Sequence, residues 1–217
     1  MSKTASKNGS GVAKKAAKGV KGTTTRKIEI SAVPKPESIT VVLKGTTTFL
    51  SHKKNPEAAQ QHEDKTTGKG KSKRLVNPEA EWEASLYRNA ENKPCVLGRA
   101  IKSAIVEAAQ KYWQKGTGPI INGTVFPTDQ LFPLKFGKME KRKDFLSIRG
   151  SGAHMSYRCE FFDWSVEVKF TYDAAHLDTE KLVNLLSRAG YSIGIGDDRP
   201  GKGKGGICGT FTVEATK

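Results

Sequence analysis

The chain has 217 residues, a formal net charge of +15 and a hydrophobic content of 36%. So large a positive excess repels itself in the compact state, and nucleic acid is the commonest polyanion that relieves the repulsion, ahead of an anionic membrane surface. Three widely spaced cysteines without a CxxC pair argue against a zinc site or a disulfide framework. The sequence also lacks an apolar run near the roughly 20 residues of a membrane span and a secretory-type N-terminus. We therefore expect a cytoplasmic protein with no membrane partner, no metal and no cofactor.

Residues 1–37 are predicted to form a disordered basic arm. The first 27 residues are rich in Lys, Gly, Ala, Ser and Thr, contain no acidic or aromatic residue, and offer almost nothing to bury. Such an arm can contact phosphates by releasing condensed counterions, or it can simply keep the protein soluble. The remainder, 38–217, is predicted to be a single domain.

The domain begins with a predicted strand over 39–43, a β-branched apolar run. The stretch 51–77 that follows is too polar for a core and too long for a turn, so it is predicted to be an extended mobile loop. A second basic segment, 135–143, is also predicted to be a mobile loop.

Two helices are predicted in the middle of the chain. Pro78 followed by acidic residues marks one helix start. Apolar residues recur with a 3.6-residue period over 97–113, which predicts a longer helix with Arg99 and Lys102 off its apolar stripe. Trp113 follows this period beside apolar neighbours and is predicted to pack in the core. Short strands are expected at 120–126 and 145–148.

The clearest pattern lies in the C-terminal third. Apolar and polar residues alternate over 161–172, which predicts a strand with one buried face. A helix over 179–188 is predicted to be capped by Asp178 and ended by Gly190. The segment 194–209, here called the glycine-rich loop, then leads into a final strand.

Strands and helices mix along this chain without a regular βαβ rhythm. That order favours an α+β, ferredoxin-like antiparallel sheet with helices on one face and long inserted loops.

The glycine-rich loop contains seven glycines together with Arg199, Lys202 and Lys204. Glycine permits positive φ and removes the side chain, so backbone N–H groups can approach phosphates closely. The loop fits neither the P-loop nor the dinucleotide fingerprint. Asp197 and Asp198 stand where a phosphate would prefer no acid. Either they pair with Arg199 or neighbouring lysines, or the loop contacts a neighbouring subunit instead.

Two segments carry a resemblance to a known family. The run KPCVLGRAIKSAI over 93–105 resembles the PxxxLKGxIRSA helix of the RAMP superfamily, and GICGTF over 206–211 is similar to the end of its C-terminal G-loop. The resemblance spans roughly 38–214. That superfamily includes RNA-binding backbone subunits and processing nucleases of CRISPR effector complexes, built on a modified, ferredoxin-like RRM fold. A looser likeness to uncharacterised proteins of tailed phages points to a prokaryotic, phage-related origin.

The resemblance implies a non-catalytic protein that grips single-stranded RNA or DNA, as a head-to-tail homo-oligomer or as part of a ribonucleoprotein. The strand would follow the sheet and the helix, clamped by the two loops. The residues expected to contact nucleic acid are Lys44, Lys53, Lys54, Arg99, Lys102, Lys141, Arg142, Lys143, Arg199, Lys202 and Lys204.

Two alternatives stay open. The first is a metal-independent RNA-processing endonuclease, for which His52 is the candidate general base because it follows the first strand and could sit beside a 2′-OH. No other catalytic residue is predicted. The second is a phage structural or assembly protein whose charge neutralises nucleic acid.

Overall fold

A computed structural model describes residues 33–53, 55–68, 76–148, 152–202 and 205–215. Most of the predicted N-terminal arm, with Lys54 and Lys204, lies outside these ranges. The strands are β1 (Pro36–Gly45), β2 (Phe49–Leu50), β3 (Tyr87–Arg88), β4 (Pro94–Leu97), β5 (Val125–Pro127), β6 (Leu131–Lys135), β7 (Lys138–Ile148), β8 (Gly152–Phe162), β9 (Ser165–Asp173) and β10 (Phe211–Ala215). The helices are α1 (Pro56–Thr66), α2 (Pro78–Ala84), α3 (Gly98–Tyr112), α4 (Thr117–Thr124) and α5 (Thr179–Ser192), with a 3₁₀ turn at Pro200–Lys202.

The main sheet has the strand order β10-β1-β9-β6-β4-β3, with β5 also paired to β9. Its neighbouring strands are antiparallel. The main sheet and two helices form a βαββαβ unit, which consists in chain order of β1, α3, the β5/β6 pair, β9, α5 and β10. In this unit β1 lies between β9 and β10. This is the ferredoxin-like arrangement, so the predicted α+β fold class is confirmed.

The core lies between the sheet and one helical layer. On β9, alternate residues Val166, Val168 and Phe170 are fully buried, whereas Glu167 and Lys169 between them are exposed on the opposite face. The apolar stripes of α3 and α5 join the same core, through Ile101, Ile105, Ala108, Leu182, Leu186 and Ala189.

The segment 135–143, predicted as a mobile loop, instead belongs to regular strands. It includes the last residue of β6 and the first half of β7, which pairs with β8 in a long antiparallel hairpin that β2 extends to three strands. Cross-strand side-chain pairs stabilise such a ribbon without a continuous apolar face. The loop prediction was wrong because the segment's polarity hid this pairing.

The polar stretch 51–77 contains helix α1, so the prediction of an extended loop was wrong there. Asn55 starts the helix by accepting a 2.9 Å hydrogen bond from the backbone N–H of Glu57. The helix is rich in residues of good helix propensity but has no apolar stripe, which is why periodicity does not detect it.

The alternating run 161–172 forms two strands and not one. β8 ends at Phe162, Asp163 takes a left-handed φ of 49°, and β9 begins at Ser165. Trp164 is buried at this corner, and its indole Nε1 donates a 2.7 Å hydrogen bond to the carbonyl of Thr47. At this corner the chain passes from β8 of the hairpin sheet to β9 of the main sheet, and the alternation of apolar residues continues through it.

Gly190 does not end its helix, because α5 continues to Ser192. A Cβ at Gly190 would lie 2.1 Å from the carbonyl oxygen of Phe211, so glycine is needed there to bring α5 against β10. Gly194, with φ 70°, follows the helix end and donates its N–H to the carbonyl of Ala189. Most of 120–126, predicted as a strand, is helical in α4.

None of the helices in the described ranges has both the length and the apolar character needed to cross a bilayer.

Candidate nucleic-acid interface

The glycine-rich loop is closed by backbone hydrogen bonds between its two halves. Ile195 donates to the carbonyl of Gly209, and Cys208 donates to the carbonyl of Asp198, each at 2.9 Å. A Cβ at Gly209 would lie 1.8 Å from the oxygen of Ile195. Glycine at this position therefore allows two backbone segments to touch. The sequence had suggested that the glycines expose backbone N–H groups to phosphate, but Gly209 does not do so.

The two acidic residues of the loop are compensated from within the protein. Asp197 Oδ2 lies 2.7 Å from Arg158 Nη1 on β8, and Lys202 Nζ also contacts Asp197. Asp198 Oδ2 lies 3.8 Å from Arg142 Nη2 on β7. Of the two alternatives, pairing within the chain is the one observed, but the partners include hairpin arginines that the sequence did not indicate.

Arg158 and Arg142 are held in turn by further groups of the hairpin. Arg158 Nε donates a 2.8 Å hydrogen bond to Ser156 Oγ, and Arg142 Nε donates a 2.9 Å bond to Asp144 Oδ1. Burial lowers the pKa of the Arg158 guanidinium despite the surrounding carboxylates. Burial alone would also lower the pKa of Arg142, but its bond to Asp144 raises it. Arginine side chains remain charged in proteins. Arg158 and Arg142 therefore keep their ion pairs with Asp197 and Asp198, and these pairs hold the loop against the hairpin.

Arg199 ties the other side of the loop to helix α3. Its Nη1 lies 3.1 Å from Glu107 Oε2 and donates to the carbonyl of Ile193 at 3.4 Å. Burial alone would raise the pKa of Glu107, but hydrogen bonds from Lys111 and Arg199 hold it below its usual value. The loop is thus anchored both to the hairpin and to the helical layer.

A cleft of about 300 Å³ opens where the loop meets the start of α3. It brings together four residues predicted as site residues, namely His52, Arg99, Arg199 and Lys202. We call it the loop cleft, and its other lining residues include Phe49, Ser51, Tyr87, Ser103, Gly196 and Asp197.

The charge balance of the loop cleft favours an anion. Helix α3 begins beside the cleft, but its first N–H, that of Gly98, already donates a 2.8 Å hydrogen bond to the carbonyl of Gln130, so the positive charge of the cleft comes from its side chains. Arg99 is exposed and has no acidic partner in the part of the chain that the structure describes. The acid in the lining, Asp197, is already paired with Arg158. His52 Nδ1 lies 3.8 Å from Asp197 Oδ2.

Two further predicted lysines flank the loop cleft. Lys53 lies 5.8 Å from the ring centroid of Tyr87, which lines the cleft. Lys102, one turn along α3 from Arg99, lies 4.2 Å from the ring centroid of Phe126, and burial lowers its pKa. Lys102 and Arg99 line an adjoining cavity whose wall also includes Asp129.

The remaining predicted cations that the structure describes do not line the loop cleft. Lys44 on β1 lies 3.9 Å from Glu214 on β10. Lys141 and Lys143 are on the hairpin, and Lys141 contacts Glu79 of α2. Arg142 points into the ion network. The predicted residues therefore divide between the cleft, the sheet and the hairpin.

Sequence reasoning missed Arg158 and Tyr87. Arg158 alternates with Ser156 and Glu160 in a polar run, which is typical of an exposed strand face, so nothing marked it as buried. Tyr87 belongs to a two-residue strand that is too short for a periodic pattern. Across the described ranges, no group of three or more His, Cys, Asp or Glu side chains is arranged to hold a metal ion.

Several solved structures are similar to this chain, and one of them is a chain of an RNA-bound complex. It comes from a cryo-EM structure of the type III-B Cmr-beta complex bound to cognate target RNA, with 10% sequence identity and a TM-score of 0.47. The match covers 83% of this chain and 59% of the other, so this chain spans less than two thirds of that chain's length. No family model and no curated protein matches the sequence.

Proposed function

We propose that this protein binds single-stranded RNA or DNA without cleaving it, and that the loop cleft grips the phosphates. The observation that carries the proposal is the convergence of Arg99, Arg199, Lys202 and His52 in one cleft beside the start of α3. These groups come from distant parts of the chain, so their meeting is a product of the fold. Donors of this kind are those that bind phosphate oxygens.

The internal pairing of the loop acids supports an anionic ligand. If Asp197 were uncompensated, it would repel a phosphate entering the loop cleft. Arg158 and Lys202 both contact it, so its negative charge is offset before any ligand arrives. The exposed Arg99 then contributes positive charge without a carboxylate partner among the described residues, and the chain as a whole carries +15.

The dimensions of the loop cleft favour a single strand over a duplex. A space of about 300 Å³ admits a phosphate with its sugar, and the half-buried ring of Tyr87 on the wall can contact the sugar. Basic grooves with aromatic walls are typical of proteins that bind single strands without sequence preference. The anchoring of the loop through Arg158 and Arg199 keeps the cleft formed before binding, which lowers the ordering cost.

A direct test measures the dissociation constants of labelled single-stranded RNA and DNA by fluorescence anisotropy. Arg99→Ala is expected to weaken binding by roughly three- to tenfold at low salt, since it removes a charge-assisted phosphate contact. Lys169→Ala is the matched control, because it removes an exposed cation from the sheet face opposite the helices. Equal losses in the two variants, or no binding by the wild type, would contradict the proposal.

A second candidate function, metal-independent RNA cleavage, is favoured by one observation. His52 lies in the loop cleft with Asp197 3.8 Å from its Nδ1, and Asp197 can orient the imidazole as a base. Labelled RNA incubated with a chelator tests this function. Cleavage that disappears in His52→Ala would establish it, and intact RNA after a long incubation would dismiss it.

A further inference from the structure

A second cavity, of about 590 Å³, lies at the other end of α3 and is lined by residues of α3 and α5. Three aromatic side chains at this cavity are unusually open, with Tyr191 79%, Tyr112 51% and Trp113 40% exposed. Leu185 is buried beneath them. We call this cavity the aromatic groove. Periodicity had predicted Trp113 to be a core residue, and its exposure is a correction.

Clustered open rings are unusual on a protein surface unless something covers them. Exposed apolar residues scattered singly need no explanation, whereas contiguous ones mark an interaction site. Tyr and Trp also carry a polar group, which suits a surface that is wet when free and covered when bound. The aromatic groove therefore has the composition of a binding surface.

The charges of the aromatic groove indicate the chemistry of its ligand. The Arg188 guanidinium lies 5.1 Å from the ring centroid of Tyr112. Lys181 Nζ lies 2.6 Å from Asp178 Oδ2, and both side chains are more than half exposed, so this pair is weak. The residues that line the groove include Lys181 and Arg188 but no acid. A ligand with flat rings and negative charge complements such a surface.

We propose that the aromatic groove is a stacking platform for the bases of a single-stranded nucleic acid. The inference deepens the proposed function and rests on it. Every base has a π-face that can stack on Tyr112, Trp113 or Tyr191, and the adjoining phosphates can pair with Arg188 and Lys181. An acidic peptide would match the cations but would leave the open rings without flat partners.

The positions of the two sites on α3 allow one strand to reach both. Arg99 in the loop cleft and Tyr112 in the aromatic groove are 13 positions apart on the same helix, which corresponds to about 20 Å along its axis and about 140° around it, so a strand that reaches both sites must also wrap around α3. A strand of several nucleotides spans that distance. The cleft would then hold the phosphates while the groove holds the bases.

The two roles separate when two oligonucleotides of equal length and charge are compared, one with bases and one fully abasic. The wild type is expected to bind the base-bearing strand more tightly, by on the order of tenfold per stacked base. The double variant Trp113→Ala/Tyr191→Ala should lose this preference and keep its affinity for the abasic strand. Arg99→Ala should weaken binding of both strands to the same extent. Ile120→Ala, which removes an exposed apolar side chain outside the groove, is the control.

Fluorescence gives an independent readout that does not depend on the folding of the double variant. Stacking on Trp113 should quench its emission with the base-bearing strand but not with the abasic strand, and Trp113→Phe should abolish the quenching while retaining the preference.

Each other outcome overturns the inference in a recognisable way. Equal wild-type affinities for the two strands would exclude base stacking while leaving the loop cleft standing, and no binding of either strand would exclude both proposals. A preference that survives in the double variant would place the base contacts elsewhere. Self-association in light scattering that the double variant abolishes, without a change in base preference, would make the groove an interface between copies.

Discussion

Arg158 and Asp197 form a 2.7 Å ion pair that joins β8 to the glycine-rich loop. The side chains are only 5% and 13% exposed, so solvent screens the pair weakly. Arg158 Nη2 also lies 3.7 Å from Asp144 Oδ2, a buried atom for which the described structure offers no hydrogen bond. One guanidinium therefore compensates two carboxylates that water reaches poorly.

Replacing Arg158 with Met is expected to destabilise the protein. The substitution keeps much of the side-chain volume but removes the buried counter-charge of Asp197 and leaves Asp144 with Arg142 alone. Breaking a buried pair from one side costs about 3–5 kcal/mol. Urea unfolding monitored by circular dichroism measures the change in the free energy of unfolding.

The matched control for that experiment is Lys44→Met. Lys44 and Glu214 are 3.9 Å apart and both are largely exposed, so the loss should not exceed about 1 kcal/mol. Similar free energies of unfolding for the two variants would show that the network under the loop does not anchor it.

Gly190→Ala is expected to destabilise the packing of α5 on β10. The added Cβ would lie 2.1 Å from the carbonyl oxygen of Phe211, a backbone atom that cannot move without displacing the strand. Overpacking of this kind costs about 1–3 kcal/mol or more. Thermal unfolding measures the loss as a lower Tm.

Gly123→Ala provides the opposite expectation with the same chemical change. Gly123 lies in α4, and a Cβ there would have open space around it. Alanine is preferred to glycine in a helix, so Tm should stay the same or rise. If both variants lost stability equally, close packing at Gly190 would not be the cause.

The sequence predicted β1, β9, β10, α3 and α5 of the βαββαβ core because their signals are local, but it did not predict β6. The alternation that becomes β9 and the period of α3 and α5 depend only on which residues face the core. The prediction that Gly190 ends α5 failed for a non-local reason. The glycine is required by the close approach of β10, a strand that lies some 20 positions further along the chain. Helix α1 was missed because a helix without an apolar stripe carries no periodic signal.

The candidate site was predicted in its residue types but not in its arrangement. Arg99, Arg199, Lys202 and His52 were identified from charge, glycine content and resemblance, and they do line one cleft. The counter-charges that make the loop acids tolerable come from the hairpin, and their pairing depends on a register that no local pattern encodes. A local pattern also misplaced Trp113. The helical period predicts which residues share a face, but it does not show at which residue the helix extends beyond the core.

The ion pair between Glu107 and Arg199 should make stability depend on pH in the acid range. The pKa of folded Glu107 lies below its ordinary value of 4.5, so folding favours the ionised form. Its contribution is therefore complete above the unfolded-state pKa and is lost as the pH falls through the lower folded-state pKa. Glu107→Gln should be less stable than the wild type at pH 7, and the difference should shrink as the pH approaches 3.

Urea midpoints measured between pH 7 and pH 3 check this expectation. Glu167→Gln is the control, since Glu167 is exposed on the open face of the sheet. A constant gap between wild type and Glu107→Gln across the range would mean that the pair with Arg199 contributes no pH-dependent stability.

The salt dependence of binding should count the phosphate contacts of the loop cleft. For a single strand, the logarithm of the binding constant falls linearly with the logarithm of salt concentration, with a slope of about −0.7 for each phosphate neutralised. Arg99 carries a free charge at the cleft, so Arg99→Ala should make the slope less steep by about 0.7, whereas Lys169→Ala should leave it unchanged. Trp113→Ala should lower the affinity and leave the slope as it is, because stacking releases no counterions. An unchanged slope in Arg99→Ala would mean that the cleft does not hold a phosphate at this residue.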